Sequence, residues 1–285
     1  TILSTATTDA QLIVPADSTY LGNPKSCIGI KIRSPHANSK LHIELAETPF
    51  FAHSVSAFIL PESGKEYLVF PDVIWNYQAL LENTQAMPVT VSIQAKVNNN
   101  RTYSAVHTYS VRSINECLLG YIDSKMKFHD TGDFFAAYVN EEHPMIDQLL
   151  REALNARIVN RFTGYQGKVS QVDKQVYALW YVLQKRNFKY SSISNTSLSS
   201  NVVFAQRVRT VDDALEAAQI NCVDGSVLFA SLLKAININP ILVRIPGHMF
   251  VGYYTDKSHK DINFLETTII GDGGKYADRF YVINK

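Results

Sequence analysis

Three residues in the last third of the chain have the types and the order of a thiol-based catalytic site. Cys222 stands at the start of a predicted helix, His248 at the start of a predicted strand and Glu266 on the strand that follows, with spacings of 26 and 18 residues. Cysteine, histidine and a carboxylate can supply the nucleophile, the general base and the orienting partner of an acyl transfer. The sequence therefore predicts a catalytic triad of Cys222, His248 and Glu266.

The chemistry of this triad depends on stabilising the thiolate, because only the anion is nucleophilic. A helix N-terminus offers unpaired N–H groups and a partial positive charge, which favour the anion at Cys222. His248 then accepts the proton, and Glu266 fixes the tautomer by accepting the second ring N–H. Backbone N–H groups at the helix start, that of Cys222 included, are candidate oxyanion donors. Asp224 would raise the thiol pKa if it pointed inward, so we expect it to face solvent or the helix N-terminal amides.

Each of the three residues also has an ordinary structural explanation. A single cysteine on an apolar helix is usually inert packing, and a lone histidine is commonly a packing or surface residue. Glu266 taken alone would be a solvated strand residue. The order of the three, with Cys222 at a helix start, favours the active-site interpretation over these alternatives.

The second half of the chain alternates helices and strands that can position these residues. Helical spacing of apolar residues and a proline suited to a first turn predict helices over 133–140, 144–158, 172–183, 211–218 and 222–236. Short strands are predicted over 241–245, 249–254, 262–267 and 280–283. A segment rich in Ser and Asn, 190–201, predicts a loop, and the glycines of 271–274 predict a hairpin turn.

The first 115 residues have the pattern of an all-β domain. Apolar and polar residues alternate over 89–97, which is typical of a half-buried strand, and 103–111 predicts its hairpin partner. Shorter strands are predicted over 27–32, 41–45 and 55–60, separated by turns at 22–24, 34–38 and 98–100. Such spacing indicates a β-sandwich. The histidines of this half are scattered, so we expect an accessory or binding domain over 1–115 and a catalytic domain over 116–285.

Composition excludes several classes of protein. The chain has 285 residues, 46% hydrophobic and 19% charged, which suits two folded domains rather than disorder. A formal charge of +1 gives no electrostatic footprint for nucleic acid, and no apolar run reaches about 20 residues, so neither nucleic-acid binding nor a membrane-spanning segment is expected. The first residue is Thr1, which fits removal of an upstream signal or anchor and favours a periplasmic or extracellular place such as a bacterial cell envelope.

Other kinds of site lack their motifs. Cys27, Cys117 and Cys222 are too few and too widely spaced for a disulfide framework or a zinc ribbon. His248 and His259 have no HExxH or CxxC companions, and no phosphate-binding glycine motif occurs. We therefore expect no metal and no cofactor.

The residues around the predicted triad resemble the transglutaminase-like superfamily. The resemblance rests on CVDGSVLFASLL from Cys222, PGHMFV around His248, LETT around Glu266, and RTVDDAL over 209–215 before the nucleophile. It covers about residues 120–285. It implies a papain-like α+β core, with helices packed on an antiparallel sheet, and acyl transfer from an amide through a thioester. A β-sandwich before such a core has a parallel in animal transglutaminases at the level of fold alone.

The chain departs from the pattern of this superfamily at three positions. Asn221 stands where a glycine commonly precedes the nucleophile, Glu266 replaces the usual aspartate and Thr267 replaces a proline. The side chain of Glu266 is one methylene longer than that of aspartate, so its carboxylate lies further from the backbone, and this affects how it can meet His248.

The superfamily often completes its oxyanion site with an aromatic or amide side chain upstream of the nucleophile. Four residues qualify by type: Gln206, Gln219, Tyr190 and Trp180. Helical spacing of Trp180 with Val176 and Leu183 favours a core position for it, and the choice among the four stays open.

The sequence thus favours a thiol-dependent acyl-transfer enzyme acting on protein or peptide substrates, a cysteine peptidase or amidase. Two alternatives remain. The change from aspartate to Glu266 suits a non-catalytic fold that binds peptide or glycan, and a protein-crosslinking transglutaminase would use the same triad with an amine as acceptor.

Overall fold

The computed structural model describes residues 20–23, 26–98, 102–123, 125–193, 196, 199–271 and the backbone of 282–283. The chain divides into two compact units, Thr1–Ile114 and Asn115–Lys285. This division lies beside the domain boundary predicted between 115 and 116. Each unit contains hydrophobic clusters of its own.

The first unit consists mainly of strands. They are β1 (Tyr20–Gly22), β2 (Ile30–Arg33), β3 (Ser39–Leu45), β4 (Phe51–Ala52), β5 (Ser54–Leu60), β6 (Glu66–Phe70), β7 (Ile74–Trp75), β8 (Met87–Val97) and β9 (Thr102–Val111). A four-stranded antiparallel sheet has the order β5-β3-β8-β9, a three-stranded sheet has the order β1-β6-β2, and β4 pairs with β7. A short helix, α1 (Tyr77–Leu81), interrupts the expected all-β pattern.

Alternating burial explains why these segments are strands. In β8, Val89, Val91 and Ile93 are buried, while Thr90 and Gln94 between and after them are exposed. The buried faces of β3, β5, β6 and β8 contribute to one hydrophobic cluster. Side chains of two sheets therefore share one core, as in face-to-face sheet packing.

One predicted strand of this unit is shorter than expected. The run from Cys27 becomes β2 only at Ile30, because Cys27 has a left-handed backbone with φ 62° that cannot extend a strand. The predicted turns at 22–24 and 98–100 fall in part on residues outside the described ones.

The second unit mixes helices and antiparallel strands. Its helices are α2 (Pro144–Asn155), α3 (Val169–Lys185), α4 (Val211–Ala217) and α5 (Cys222–Ala235), with 3-10 helices at Gly132–Tyr138 and Thr267–Ile269. Its strands are β10 (Glu116–Ile122), β11 (Phe128–Asp130), β12 (Lys189–Tyr190), β13 (Val203–Arg207), β14 (Gln219–Ile220), β15 (Pro240–Ile245), β16 (His248–Tyr254), β17 (Ile262–Leu265) and β18 (Val282–Ile283).

Helix α5 lies at the centre of this unit. Every residue from Val223 to Leu233 is buried, and the helix contacts β15 and β16 of the antiparallel sheet β15-β16-β17-β18. Leu228, Phe229 and Leu232 pack in one cluster with side chains of α2, α3 and the sheet. A helix that is apolar on all sides is buried, so the sequence of α5 itself requires this central position.

The structure confirms a mixed α+β fold with antiparallel sheets. The predicted helices exist, but 133–140 forms a 3-10 helix and the second helix ends at Asn155 rather than at 158. The sequence did not predict strands β1, β4, β6 and β7 of the first unit or β10, β11, β13 and β14 of the second, and β12 takes the first position of the predicted loop over 190–201. The turn at 271–274 lies largely outside the described residues, as do residues 280 and 281 of the last predicted strand. Within the described part of the chain, no helix is long and apolar enough to cross a membrane.

Candidate active site

The start of helix α5 is a fully formed capping box. The side-chain Oδ1 of Asn221 accepts hydrogen bonds from the backbone N–H of Val223 and of Asp224, both at 2.8 Å. The Asp224 carboxylate in turn accepts the backbone N–H of Asn221 at 3.0 Å. Asn221 therefore replaces the expected glycine with a strong N-cap. The backbone N–H of Cys222, which is a predicted oxyanion donor, takes no part in this capping box.

Asp224 does not face solvent, and that part of the prediction was wrong. Its side chain is 0% exposed and forms an ion pair of 2.6 Å with Arg209, whose backbone N–H also donates to it at 2.7 Å. The alternative expectation, contact with amides at the helix start, is correct for the N–H of Asn221. The cation beside Asp224 offsets its charge, so the carboxylate opposes a thiolate at Cys222 less than an isolated one would.

Strands β15 and β16 place His248 at the end of a hairpin. Ile245 pairs with His248 across the two strands, so Pro246 and Gly247 alone form the turn. Gly247 has φ 76°, a conformation that glycine adopts without the strain of a side chain. His248 is therefore the first residue of β16, and the pairing with β15 fixes the backbone that carries its ring.

His248 and Glu266 form the hydrogen bond that the sequence predicts. Nε2 of His248 lies 2.6 Å from Oε2 of Glu266, with the two side chains 29% and 21% exposed. The other carboxylate oxygen, Oε1, accepts the backbone N–H of Thr268 at 3.1 Å and its hydroxyl at 2.7 Å. The longer arm of Glu266 is thus held at both oxygens, and it reaches the imidazole.

A close approach between α5 and the segment after β17 supports this arrangement. A Cβ at Gly225 would lie 2.8 Å from the hydroxyl of Thr267, so only glycine permits this packing. Thr267 is fully buried, and its hydroxyl lies 3.5 Å from that of Ser226. Thr267, the residue after Glu266, therefore packs directly against helix α5.

Cys222 and His248 line the same cleft of about 520 Å³. Cys222 is partly buried, which leaves its thiol open to the cleft. Nε2 of His248 is taken by Glu266, so Nδ1 is the nitrogen left for a thiol. Within the described residues no hydrogen bond joins the thiol to His248, and the pairing of the two groups stays a prediction.

Two of the four oxyanion candidates line this cleft, namely Gln206 and Tyr190. Strand β13 brings Gln206 opposite Cys117 of β10, and β12 pairs Tyr190 with Ile220, two residues before Cys222. Burial raises the pKa of Tyr190, and the nearby charges of Cys222 and Glu266 add to this effect. Trp180 is fully buried in the core, as predicted, and Gln219 is exposed outside the cleft.

The other two cysteines have different surroundings. Burial, with a smaller contribution from the charge of Asp133, raises the pKa of Cys117 to about 12. Cys27 lies partly buried in the first unit, and all three cysteines are free thiols. Of the three, only Cys222 combines a helix N-terminus with a cleft.

The described residues contain no group of three or more His, Cys, Asp or Glu side chains that could hold a metal ion. His259, a weak metal candidate by type, stacks on Tyr254 and hydrogen bonds to Asn239.

Sequence reasoning missed two residues that organise the site. Arg209 neutralises Asp224, and Thr268 holds the second oxygen of Glu266. Thr268 follows Glu266 at the spacing of an N-cap contact, a signal that could have revealed it. No comparable local signal exists for Arg209, since 15 residues separate it from its partner.

Comparison of the chain with family models, with curated proteins and with solved structures gave no match.

Proposed function

We propose that this protein is a thiol-dependent acyl-transfer enzyme acting on peptide or amide bonds, a cysteine peptidase or amidase. Cys222 is the nucleophile, His248 the base and acid, and Glu266 the residue that orients the imidazole. The observation that carries the proposal is the 2.6 Å hydrogen bond between His248 and Glu266, beside a cleft that Cys222 also lines.

The geometry supports a definite division of roles. Glu266 is acceptor-only when ionised, so its bond requires Nε2 of His248 to carry a proton. The neutral ring then has its basic lone pair at Nδ1, where it accepts the thiol proton of Cys222. A carboxylate held by Thr268 at its other oxygen stabilises the imidazolium that results.

The proposed reaction proceeds through a thioester. The thiolate of Cys222 attacks the amide carbon, an S–C bond forms, and the carbonyl oxygen becomes an oxyanion. His248 gives its proton to the leaving nitrogen as the C–N bond breaks. Water, or an amine, then attacks the thioester and gives a proton to His248, and the thiolate leaves.

We further propose that the second unit is a transglutaminase-like core. Support comes from a buried central helix that begins with a cysteine and packs on an antiparallel sheet bearing the histidine at a strand start. Glu266 would replace the aspartate of that superfamily, with its extra methylene accommodated by the bonds to Thr268. In this proposal the first unit is an accessory or binding domain, because every residue of the candidate site belongs to the second unit.

Alkylation of the folded protein with iodoacetamide near neutral pH, followed by mass mapping of the modified cysteines, tests the proposal. We expect Cys222 to react at least about tenfold faster than Cys27, because a thiolate held by an imidazole is populated at a pH where a free thiol is largely protonated. Cys117 is the matched buried control and should react slowest. The variants Cys222→Ala and His248→Ala should lose the fast reaction.

Equal rates at Cys222 and Cys27 in the folded protein would contradict the proposal and favour a non-catalytic binding module. A fast reaction at Cys222 leaves open whether the acceptor is water or an amine. Incorporation of a fluorescent amine into a glutamine-bearing protein would identify a crosslinking transglutaminase instead of a hydrolase.

A further inference from the structure

Arg244 is the one Lys or Arg side chain among the described residues that line the cleft of Cys222 and His248. It lies on β15 opposite Met249, in the residue pair next to Ile245 and His248. His248 is on the neighbouring strand, diagonal to Arg244 in the ladder, so the two backbones are separated by the spacing between strands and one residue step.

The guanidinium of Arg244 is held in place from two sides. Nη2 donates a short hydrogen bond to Oδ2 of Asp130, the last residue of β11. The Asp130 carboxylate is itself fixed, because its Oδ1 accepts the backbone N–H of Gly132 at 2.8 Å. A Cβ on Gly132 would lie 2.6 Å from the guanidinium carbon, so glycine lets the guanidinium lie against this backbone.

This arrangement leaves hydrogen-bond donors for a ligand. An arginine side chain has five N–H donors, and the contact with Asp130 engages Nη2 alone among the described residues. The side chain is 38% exposed. Nε and Nη2 lie on the side of the guanidinium that faces Gly132, so the two N–H groups of Nη1 remain for a second acceptor.

Arg244 is the only Lys, Arg, Asp or Glu side chain among the described residues that line the cleft. Three carboxylates bonded to lining residues, Asp130, Asp224 and Glu266, lie outside the lining itself. Glu266 is engaged by His248 and Asp130 by Arg244. A substrate in the cleft thus meets the guanidinium of Arg244, whose charge Asp130 offsets in part, beside apolar walls from Leu119 and Phe135.

We propose that Arg244 determines specificity by binding a carboxylate of the substrate close to the amide that Cys222 attacks. The preferred substrates are therefore acidic peptides, with the carboxylate on a side chain or at the chain terminus next to the reacting group. This inference rests on the proposed function, and it adds the substrate class.

Three alkylating reagents of matched size test the inference without knowledge of the natural substrate. They are iodoacetyl-Gln amide, which is neutral, iodoacetyl-Glu amide, with a side-chain carboxylate, and iodoacetyl-Gln, with a terminal carboxylate. In each reaction the thiolate of Cys222 forms an S–C bond and iodide leaves. The ratio of the charged rate to the neutral rate is measured at Cys222 in each variant, so that general changes in thiol reactivity cancel.

We expect at least one charged reagent to react about fivefold faster than the neutral one, as an ion pair of about 1 kcal/mol would give. The reagent that gains identifies the source of the carboxylate. Arg244→Gln should abolish the gain, and Arg244→Lys should keep part of it, since lysine retains charge without the planar fork. Asp130→Asn removes the competing carboxylate and should keep or increase the gain.

The outcomes separate this inference from the proposed function. If Cys222 reacts fast but the ratio is the same in the wild type and Arg244→Gln, the specificity role is wrong and the catalytic proposal stands. If Cys222 reacts no faster than Cys27, the catalytic proposal fails and the inference with it. Where Arg244→Gln does not fold, a loss of the gain in Asp130→Asn contradicts the inference by itself.

Discussion

At the scale of single residues, Glu266 is held by hydrogen bonds at both of its carboxylate oxygens. One oxygen accepts from His248, and the other accepts twice from Thr268. A group fixed by three donors has little freedom to turn, so it imposes a tautomer on the imidazole. Thr268 therefore holds the side chain of Glu266 in the position from which it reaches His248.

Glu266→Gln is expected to lower the alkylation rate of Cys222 by about a hundredfold, a typical contribution of a general base. The two donors of Thr268 hold the amide oxygen, which turns the NH₂ toward Nε2 of His248. The ring then carries its proton on Nδ1, and its lone pair no longer points to the thiol. Alkylation that is quenched at a series of times and quantified by mass spectrometry measures the rate at Cys222.

Thr268→Val is the matched control for this variant. It removes the hydroxyl bond to Glu266 and keeps the backbone N–H, so the carboxylate stays ionised. We expect a loss of less than about tenfold, in line with one hydrogen bond of about 1 kcal/mol. A wild-type rate in Glu266→Gln would show that this carboxylate does not orient the base.

At the scale of elements, the N-terminus of α5 is stabilised by a polar network inside an apolar core. Asn221 caps the helix, Asp224 completes the box, and Arg209 pairs with Asp224 while only 8% exposed. Removing one member of a buried pair leaves an uncompensated charge, which costs more than the pair itself contributes. The helix start that carries Cys222 thus depends on Arg209.

Asp224→Asn is expected to lower the free energy of unfolding by about 3–5 kcal/mol, because Arg209 loses its partner inside the protein. Asn221→Ala should cost about 1 kcal/mol, the usual effect of a lost N-cap. Urea denaturation measures both values.

Glu152→Gln provides the control for an ion pair nearer the surface. Glu152 and Arg186 are 36% and 26% exposed, so we expect a cost of at most about 1 kcal/mol. Equal costs for Asp224→Asn and Glu152→Gln would show that burial does not set the strength of the Arg209 contact.

At the scale of the whole molecule, groups with shifted pKa values make the folded protein less stable at both acidic and alkaline pH. A hydrogen bond from Ser258, followed by backbone N–H groups, lowers the pKa of Asp256 to about 2. Hydrogen bonds from the side chain of His129 and from the backbone of Lys127 lower the pKa of Asp123. Burial raises the pKa of Cys117 to about 12. Each shift makes stability depend on pH between the folded and unfolded values.

We expect the second unit to be most stable between these limits. The contribution of Asp256 is present above its ordinary pKa of 3.8 and is lost as the pH falls toward about 2. The contribution of Cys117 is complete below its ordinary pKa of 9.0 and is lost as the pH rises toward about 12. Trp180 reports this unit by fluorescence once Trp75 of the first unit is replaced by Phe.

Single substitutions assign the two limits. Asp256→Asn should flatten the loss of stability on the acid side, and Cys117→Ala should flatten it above pH 9. If neither changes the slope of unfolding free energy against pH, other groups control the pH dependence of this unit.

The sequence by itself determined the identity and order of the candidate triad, the two-part organisation and most helices of the second unit. These features depend on local patterns: the spacing of apolar residues, a cysteine at the start of an apolar helix, and alternation in strands. The capping role of Asn221 and the burial of α5 on every side emerged only from the structure. The missed strands β10, β11 and β13 pair with one another and lack a clear alternating pattern, so their neighbours in space define them.

Tertiary structure alone decided which polar groups meet. It joined Arg209 to Asp224, brought Gln206 and Tyr190 but not Gln219 to the cleft, and placed Arg244 on its wall. These contacts span many residues of chain, and their partners are chosen by the packing of α5 on the sheet rather than by any periodicity. Local physics therefore determines what each segment is, while burial and charge pairing across the fold determine what the segments do together.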